Sequence, residues 1–172
     1  MKNYLLILLM AVALVGCDAN VKPDADDSVD GAQVGSVGGE GGRSGQALSV
    51  SYEAGAINDA NSVLAGRIIY FDFDSSKVAD DFIELVKHHG RYLSANPSAS
   101  IRLEGHTDER GTREYNIALG DRRAQAVKRL LMFQGASSDQ VTIISYGEEK
   151  PANLGHDEST WHLNRRAELV YQ

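Results

Sequence analysis

The chain has 172 residues, enough for one ordinary domain with extensions but not for two full domains. Its net charge of -7 is unevenly placed: residues 18–62 hold eight acids against Lys22 and Arg43, whereas residues 63–172 hold sixteen acids against fourteen bases. No basic face stands out, which argues against a nucleic-acid partner, and the single cysteine, Cys17, excludes an intrachain disulfide or a C-x-x-C centre.

Lys2 precedes the apolar run YLLILLMAVAL, too short for a comfortable membrane span and suited to a signal-peptide core. The run ends in Leu14-Val15-Gly16-Cys17, which resembles a bacterial lipobox: residues 1–16 are removed and Cys17 becomes the acylated first residue. Multiple acyl chains, at about 0.8 kcal/mol per buried CH₂, make a stable anchor. Residues 18–62 are dominated by glycine, serine and aspartate without periodicity at 2 or 3.6, and read as a flexible acidic tether. A short strand around Leu48–Tyr52 is the alternative.

Order is expected from Val63. VLAGRIIYFDF reads as a strand, and Ser75 or Ser76 can cap the helix after it. Val78, Phe82, Leu85, Val86, His89, Tyr92 and Leu93 then fall on one helical face, and Asn96-Pro97 stops the helix. ASIRLEGHTD alternates as a strand with two unlike faces. A longer helix is expected from Thr112 to Phe133, with Tyr115, Leu119, Ala126, Leu130 and Phe133 as its apolar stripe and Gly135 to end it. VTIISYG reads as a third strand, a short helix is expected near Asp157–His162, and AELVY reads as a fourth strand. The order β-α-β-α-β-(short α)-β implies an α+β domain of about 110 residues (63–172), with helices packed on one face of a mixed four-stranded sheet.

The chemistry concentrates in EGHTDERGTREYNIALGDRR, residues 104–123. A hydrolase is disfavoured: the domain has no cysteine, no G-x-S-x-G and no serine paired with a histidine by a known signature. His106 and Asp108 could give two ligands to zinc, which is the rival reading of a periplasmic metal-dependent enzyme, but no other histidine has ligand-like spacing to them. The third reading is a clamp. Asp108 ends a strand, and Asn116, Gly120, Arg123 and Val127 share a stripe on the returning helix. An aspartate and an arginine flanking the shallow floor left by Gly120 suit a ligand with an ammonium and a carboxylate on one carbon, the carboxylate held by two parallel hydrogen bonds. An Asp108–Arg123 salt bridge with Gly120 serving close helix packing accounts for the same residues, and composition leaves the two even.

YFDFDSS at 70–76, EGHTDERGTREYNIALGDRRAQAV at 104–127, ISYGEEKPANLGHDE at 144–158 and NRRAELVY at 164–171 resemble, in order, the OmpA-like C-terminal domain family, and within it the peptidoglycan-associated lipoproteins (Pal) of Gram-negative bacteria. The resemblance covers residues 64–172 and rests on a long motif, G-[HN]-T-D-x-x-G…N-x-x-L-[GS]-x-x-R-[AR]. It implies a non-enzymatic, cofactor-free periplasmic module, lipid-anchored in the outer membrane, that grips uncrosslinked peptidoglycan through meso-diaminopimelate. In the family pattern Asp108 takes the ammonium and Arg123 the carboxylate, Leu119 packs on the ligand, and Phe73 and Asp74 complete the pocket. It further implies a TolB-like β-propeller and other Tol proteins as partners in cell division and envelope integrity. A lipoprotein of the same family outside the Tol system is the alternative. Asp18 keeps the inner membrane open as an address, since aspartate after the acylated cysteine retains enterobacterial lipoproteins there. Arg113 and Trp161-His162-Leu163 depart from the family pattern, and the Trp161 region is expected to affect a partner surface.

Overall fold

The computed structural model describes residues 50–172, so Cys17, the signal peptide and most of the expected tether lie outside the described residues. Four strands, β1 (Ile68–Tyr70), β2 (Ile101–His106), β3 (Val141–Gly147) and β4 (Arg166–Tyr171), form one sheet in the order β1-β4-β2-β3. β4 is antiparallel to both of its neighbours, and β2 and β3 are parallel, which makes the sheet mixed. Helices α1 (Asp80–Ala95), α2 (Arg113–Phe133) and α3 (Glu158–Asn164) complete the α+β fold. α2 lies across β2 and β3, and α1 packs on α2.

Alternation decides which face of β2 the helices cover. Ile101 and Leu103 are fully buried in the core with Val86, Leu93, Val127 and Leu169. Each such side chain stabilises the fold by about 1.5–3 kcal/mol. Arg102 and Glu104 project to the other face and pair with each other at 2.6 Å, as Arg166 and Glu168 do on β4.

Several expected boundaries move. The first strand is three residues long, because Val63–Ala65 form a 3-10 turn with Ser62 accepting a hydrogen bond from Leu64. α1 starts at Asp80 behind Ala79, which makes no side-chain cap, so neither Ser75 nor Ser76 caps it. The buried stripe of α2 is Asn116, Leu119, Gly120, Arg123, Ala124, Val127 and Leu131. Tyr115 and Phe133, expected inside, are 44% and 85% exposed. Apolar periodicity missed this register because the face includes an amide, a guanidinium and a glycine. Thr112 caps α2 by accepting from Tyr115 N, and Gly135 at φ +99° lets the chain turn away after it.

Packed structure also reaches back into the stretch assigned to the tether. Residues 50–52 form no strand, and Ala54–Asn58 form a 3-10 turn against α1. The Tyr52 hydroxyl lies 2.7 Å from His88 Nδ1, Tyr92 donates to the Ala54 carbonyl, and Arg67 donates to the Ile57 carbonyl. Ala56 and Leu64 are buried with Tyr92. The folded unit therefore takes in residues 52–62 as well as 63–172. A chain beginning at residue 63 should melt roughly 5–10 °C below one beginning at residue 50. Equal melting temperatures would show that these contacts add nothing.

His89 is fully buried, with Nε2 2.7 Å from the Gly66 carbonyl and Nδ1 2.8 Å from the Tyr171 hydroxyl. Nε2 must donate to the carbonyl, and in the neutral ring Nδ1 then accepts from the Tyr171 hydroxyl. Burial, which disfavours the charged ring, lowers its pKa to about 4. The folded state then binds fewer protons than the unfolded chain between about pH 6.5 and 4. Its stabilising contribution is complete above pH 6.5 and declines as pH falls through that window. Lowering the pH from 7.5 to 5 should remove about 2 kcal/mol of unfolding free energy through His89, and His89→Gln should abolish that share in urea titrations at the two pH values.

Candidate functional site

A cleft of about 170 Å³ opens where β2 ends, between the loop after β1, the turn before α2 and the first turns of α2. Phe73, Asp74, Asp108, Leu119 and Arg123, the five expected pocket residues, all line it, together with Asn116, Thr107, Arg110, Gly111 and Tyr115. Cys17, the expected lipidation site, falls outside the described residues.

Gly120 is not among the lining residues, and its role differs from the expected floor. A Cβ at Gly120 would stand 2.4 Å from Ser145 Oγ and 2.9 Å from the Gly105 carbonyl oxygen. A Cβ at Gly105 would stand 1.9 Å from the Gly120 carbonyl oxygen. The two glycines let the α2 backbone lie directly on β2, which brings the next turn of α2 down to the strand end.

Arg123 sits on that turn. Its side chain is wholly buried, and its guanidinium donates to three carbonyls: Nε to Ser75 at 2.8 Å, Nη1 to His106 at 2.7 Å and Nη2 to Asp72 at 3.1 Å. Burial lowers its pKa to about 10, with Asp108 opposing the shift, so it stays charged at neutral pH. The expected open fork for a carboxylate is thus largely committed elsewhere. Arg123 holds the loop bearing Phe73 and Asp74 against the end of β2, leaving two of its five N–H groups. Asp74 adopts φ +53°, a left-handed conformation that aspartate tolerates, and accepts from the Tyr115 hydroxyl.

Asp108 is 3% exposed. The arginines within ion-pair distance of it, among the described residues, are Arg110 and Arg165, so the alternative of an Asp108–Arg123 salt bridge is not what the structure holds. Burial alone would raise the carboxyl pKa, but hydrogen bonds and charge from Arg110, helped by Arg165, hold it below its ordinary value. Arg165 is buried and also donates to Phe71 O at 3.0 Å and Glu158 at 2.5 Å, tying β1 and α3 to the site. Asn116 donates to Glu148 at 2.5 Å.

The His106–Asp108 pair does not make half a metal site. The His106 ring packs on Tyr146 with centroids 5.5 Å apart, while Asp108 is held by guanidinium groups. No group of three or more His, Cys, Asp or Glu side chains among the described residues is placed to share a metal ion. Arg110, Thr107, Tyr115 and Arg165 are site residues that sequence reasoning missed. Thr107 and Arg110, next to Asp108 and two positions after it, left a local signal, whereas Arg165 lies far along the chain. Trp161 stacks on Arg110 at 4.1 Å and donates to Glu109 at 3.0 Å, which places it on the rim of the cleft.

The elements form an α+β domain with a mixed four-stranded sheet, and a buried acid is held by arginines where the second strand ends. A family model described as the OmpA family matches residues 70–165. The peptidoglycan-associated lipoprotein of Pseudomonas aeruginosa is 42% identical over 164 residues, 95% of this chain and 92% of its own length. That of Pasteurella multocida is 50% identical over 103 residues, 60% of this chain and 69% of its own. The crystal structure of the peptidoglycan-associated lipoprotein from Burkholderia pseudomallei matches with a TM-score of 0.67 at 52% identity, covering 68% of this chain and 99% of that one. The C-terminal domain of Helicobacter pylori MotB, 19% identical with a TM-score of 0.57, shares the fold. The chain belongs to the OmpA family, in the group of the peptidoglycan-associated lipoproteins.

Three substitutions test the framework beneath the cleft. Gly120→Ala should lower stability by about 1–3 kcal/mol through overpacking, and Gly105→Ala by more, because its Cβ meets backbone that cannot yield. Arg123→Lys should lower the melting temperature too, since one ammonium cannot reach three carbonyls spread around a planar fork. An unchanged melting temperature for Arg123→Lys would contradict the framework role.

Proposed function

We propose that this protein binds peptidoglycan non-covalently, taking the diaminopimelate of an uncrosslinked stem peptide into the Asp108 cleft. The observation that carries the proposal is the buried, ionised Asp108 in a small cleft walled by Leu119 and Phe73. A carboxylate held below its ordinary pKa, with an apolar wall beside it, suits an ammonium on an aliphatic chain. The ligand's carboxylate is assigned to the two N–H groups that Arg123 keeps free of carbonyls, with the Thr107 hydroxyl at hand. The names of the relatives support the ligand class. Acylation at Cys17 would anchor the domain in the outer membrane facing the periplasm, joining membrane to cell wall. Membership of the Tol system, with a TolB-like propeller as partner, belongs to the same proposal and rests on the sequence motifs.

Asp108→Asn keeps the shape and removes the counter-charge. Its affinity for a diaminopimelate-containing muropeptide should fall roughly thirty-fold or more in calorimetry, with the fold retained. A muropeptide with lysine in place of diaminopimelate lacks the distal carboxylate and should bind at least about tenfold more weakly. Unaltered binding by Asp108→Asn would overturn the assignment.

A further inference from the structure

Asp108 is already full. Its Oδ1 accepts from Arg110 N at 3.1 Å and Arg110 Nε at 3.2 Å. Its Oδ2 accepts from Arg110 Nη2 at 2.7 Å and Arg165 Nη1 at 3.3 Å. A carboxylate offers about four lone-pair positions, so a ligand ammonium can reach Asp108 only by displacing one of these donors. The Arg110 backbone N–H is fixed by the turn. Arg165 is 6% exposed at its side chain and is also tied to Phe71 and Glu158. The Arg110 side chain is 32% exposed, and it lines the cleft.

We propose that the Arg110 guanidinium is an internal stand-in for the ligand's ammonium, a latch that occupies Asp108 until a cation displaces it. The surroundings give the displaced group somewhere to stay. Its guanidinium carbon lies 4.1 Å from the ring centroid of Phe73 and 4.1 Å from that of Trp161, and Glu158 Oε2 is already 3.6 Å from Nη2. A short slide between the two rings trades Asp108 for Glu158 without stranding the charge. The latch keeps the buried carboxylate paired when no ligand is bound, so the empty site does not carry an uncompensated charge. It also raises the threshold for entry, because a ligand must outcompete a bidentate internal partner.

The inference rests on the assignment of a diaminopimelate ammonium to Asp108, and the test separates the two. Arg110→Gln keeps a polar but shorter side chain and removes the charge and the fork. The muropeptide should bind this variant about tenfold more tightly than the wild type in calorimetry, with the gain in the on-rate by stopped flow. A muropeptide acetylated on the distal ammonium should show no such gain. Unchanged or weakened binding by Arg110→Gln, while Asp108→Asn still binds far more weakly than the wild type, overturns the latch and leaves the diaminopimelate assignment standing. An equal gain for the acetylated ligand also overturns it, since loosened structure would then be the cause. Normal binding by Asp108→Asn overturns the assignment and the latch with it.

Discussion

Three backbone carbonyls from two separate segments converge on one buried guanidinium, and the binding cleft depends on that convergence. Arg123 joins Asp72 and Ser75, in the loop after β1, to His106 at the end of β2. Unpaired, each of those carbonyls would be a liability in a desolvated corner. Paired with one rigid fork, they fix the loop that presents Phe73 and Asp74. Arginine is suited to this because its planar donors are pre-organised and it stays charged even though burial lowers its pKa to about 10.

That arrangement requires α2 to ride unusually close to the sheet. Gly105 and Gly120 remove the side chains that would hold backbone from backbone, so their helical and strand propensity costs are offset by what the contact permits. The Ser145 hydroxyl, donating to the Ile117 carbonyl at 2.7 Å, fills the remaining gap between α2 and β3. A small displacement of α2 would withdraw Arg123 from the three carbonyls together, which is why framework and cleft cannot be altered independently here.

The electrostatics divide along the same line. Arg123 and Arg165 are buried and tied to main chain, whereas Arg110 lies at the surface between two aromatic rings. Arg165 and Arg110 both hold the same acid, Asp108, yet the Arg110 side chain alone of the three makes no hydrogen bond to main chain. A site built so holds its carboxylate ionised at neutral pH whether or not a ligand is present. His106, next to this cluster, is 1% exposed, and burial together with Arg166 lowers its pKa to about 4, so it adds no positive charge at neutral pH.

The sequence by itself determined the order of the elements and the α+β class, and its resemblance to a known family pointed to part of the cleft lining. Strand alternation, helical spacing and stop signals such as Asn96-Pro97 and Gly135 are local, and the long motif around Asp108 is specific. Local signals also failed in an instructive way. The stripe of α2 was misplaced by about one residue, because its inward face carries Asn116, Gly120 and Arg123, which no hydrophobic pattern reveals. The N-terminal stretch was assigned wholly to the tether, because Tyr52 and Ala56 find partners only on an α1 face formed far along the chain. Which arginine serves which purpose was decided by the tertiary structure alone. Arg110, Arg123 and Arg165 carry the same side chain, and their roles differ through burial and through the carbonyls, carboxylates and rings that distant segments bring to each. Spacing along one chain does not encode those surroundings, which exist only once the sheet and helices have closed around them.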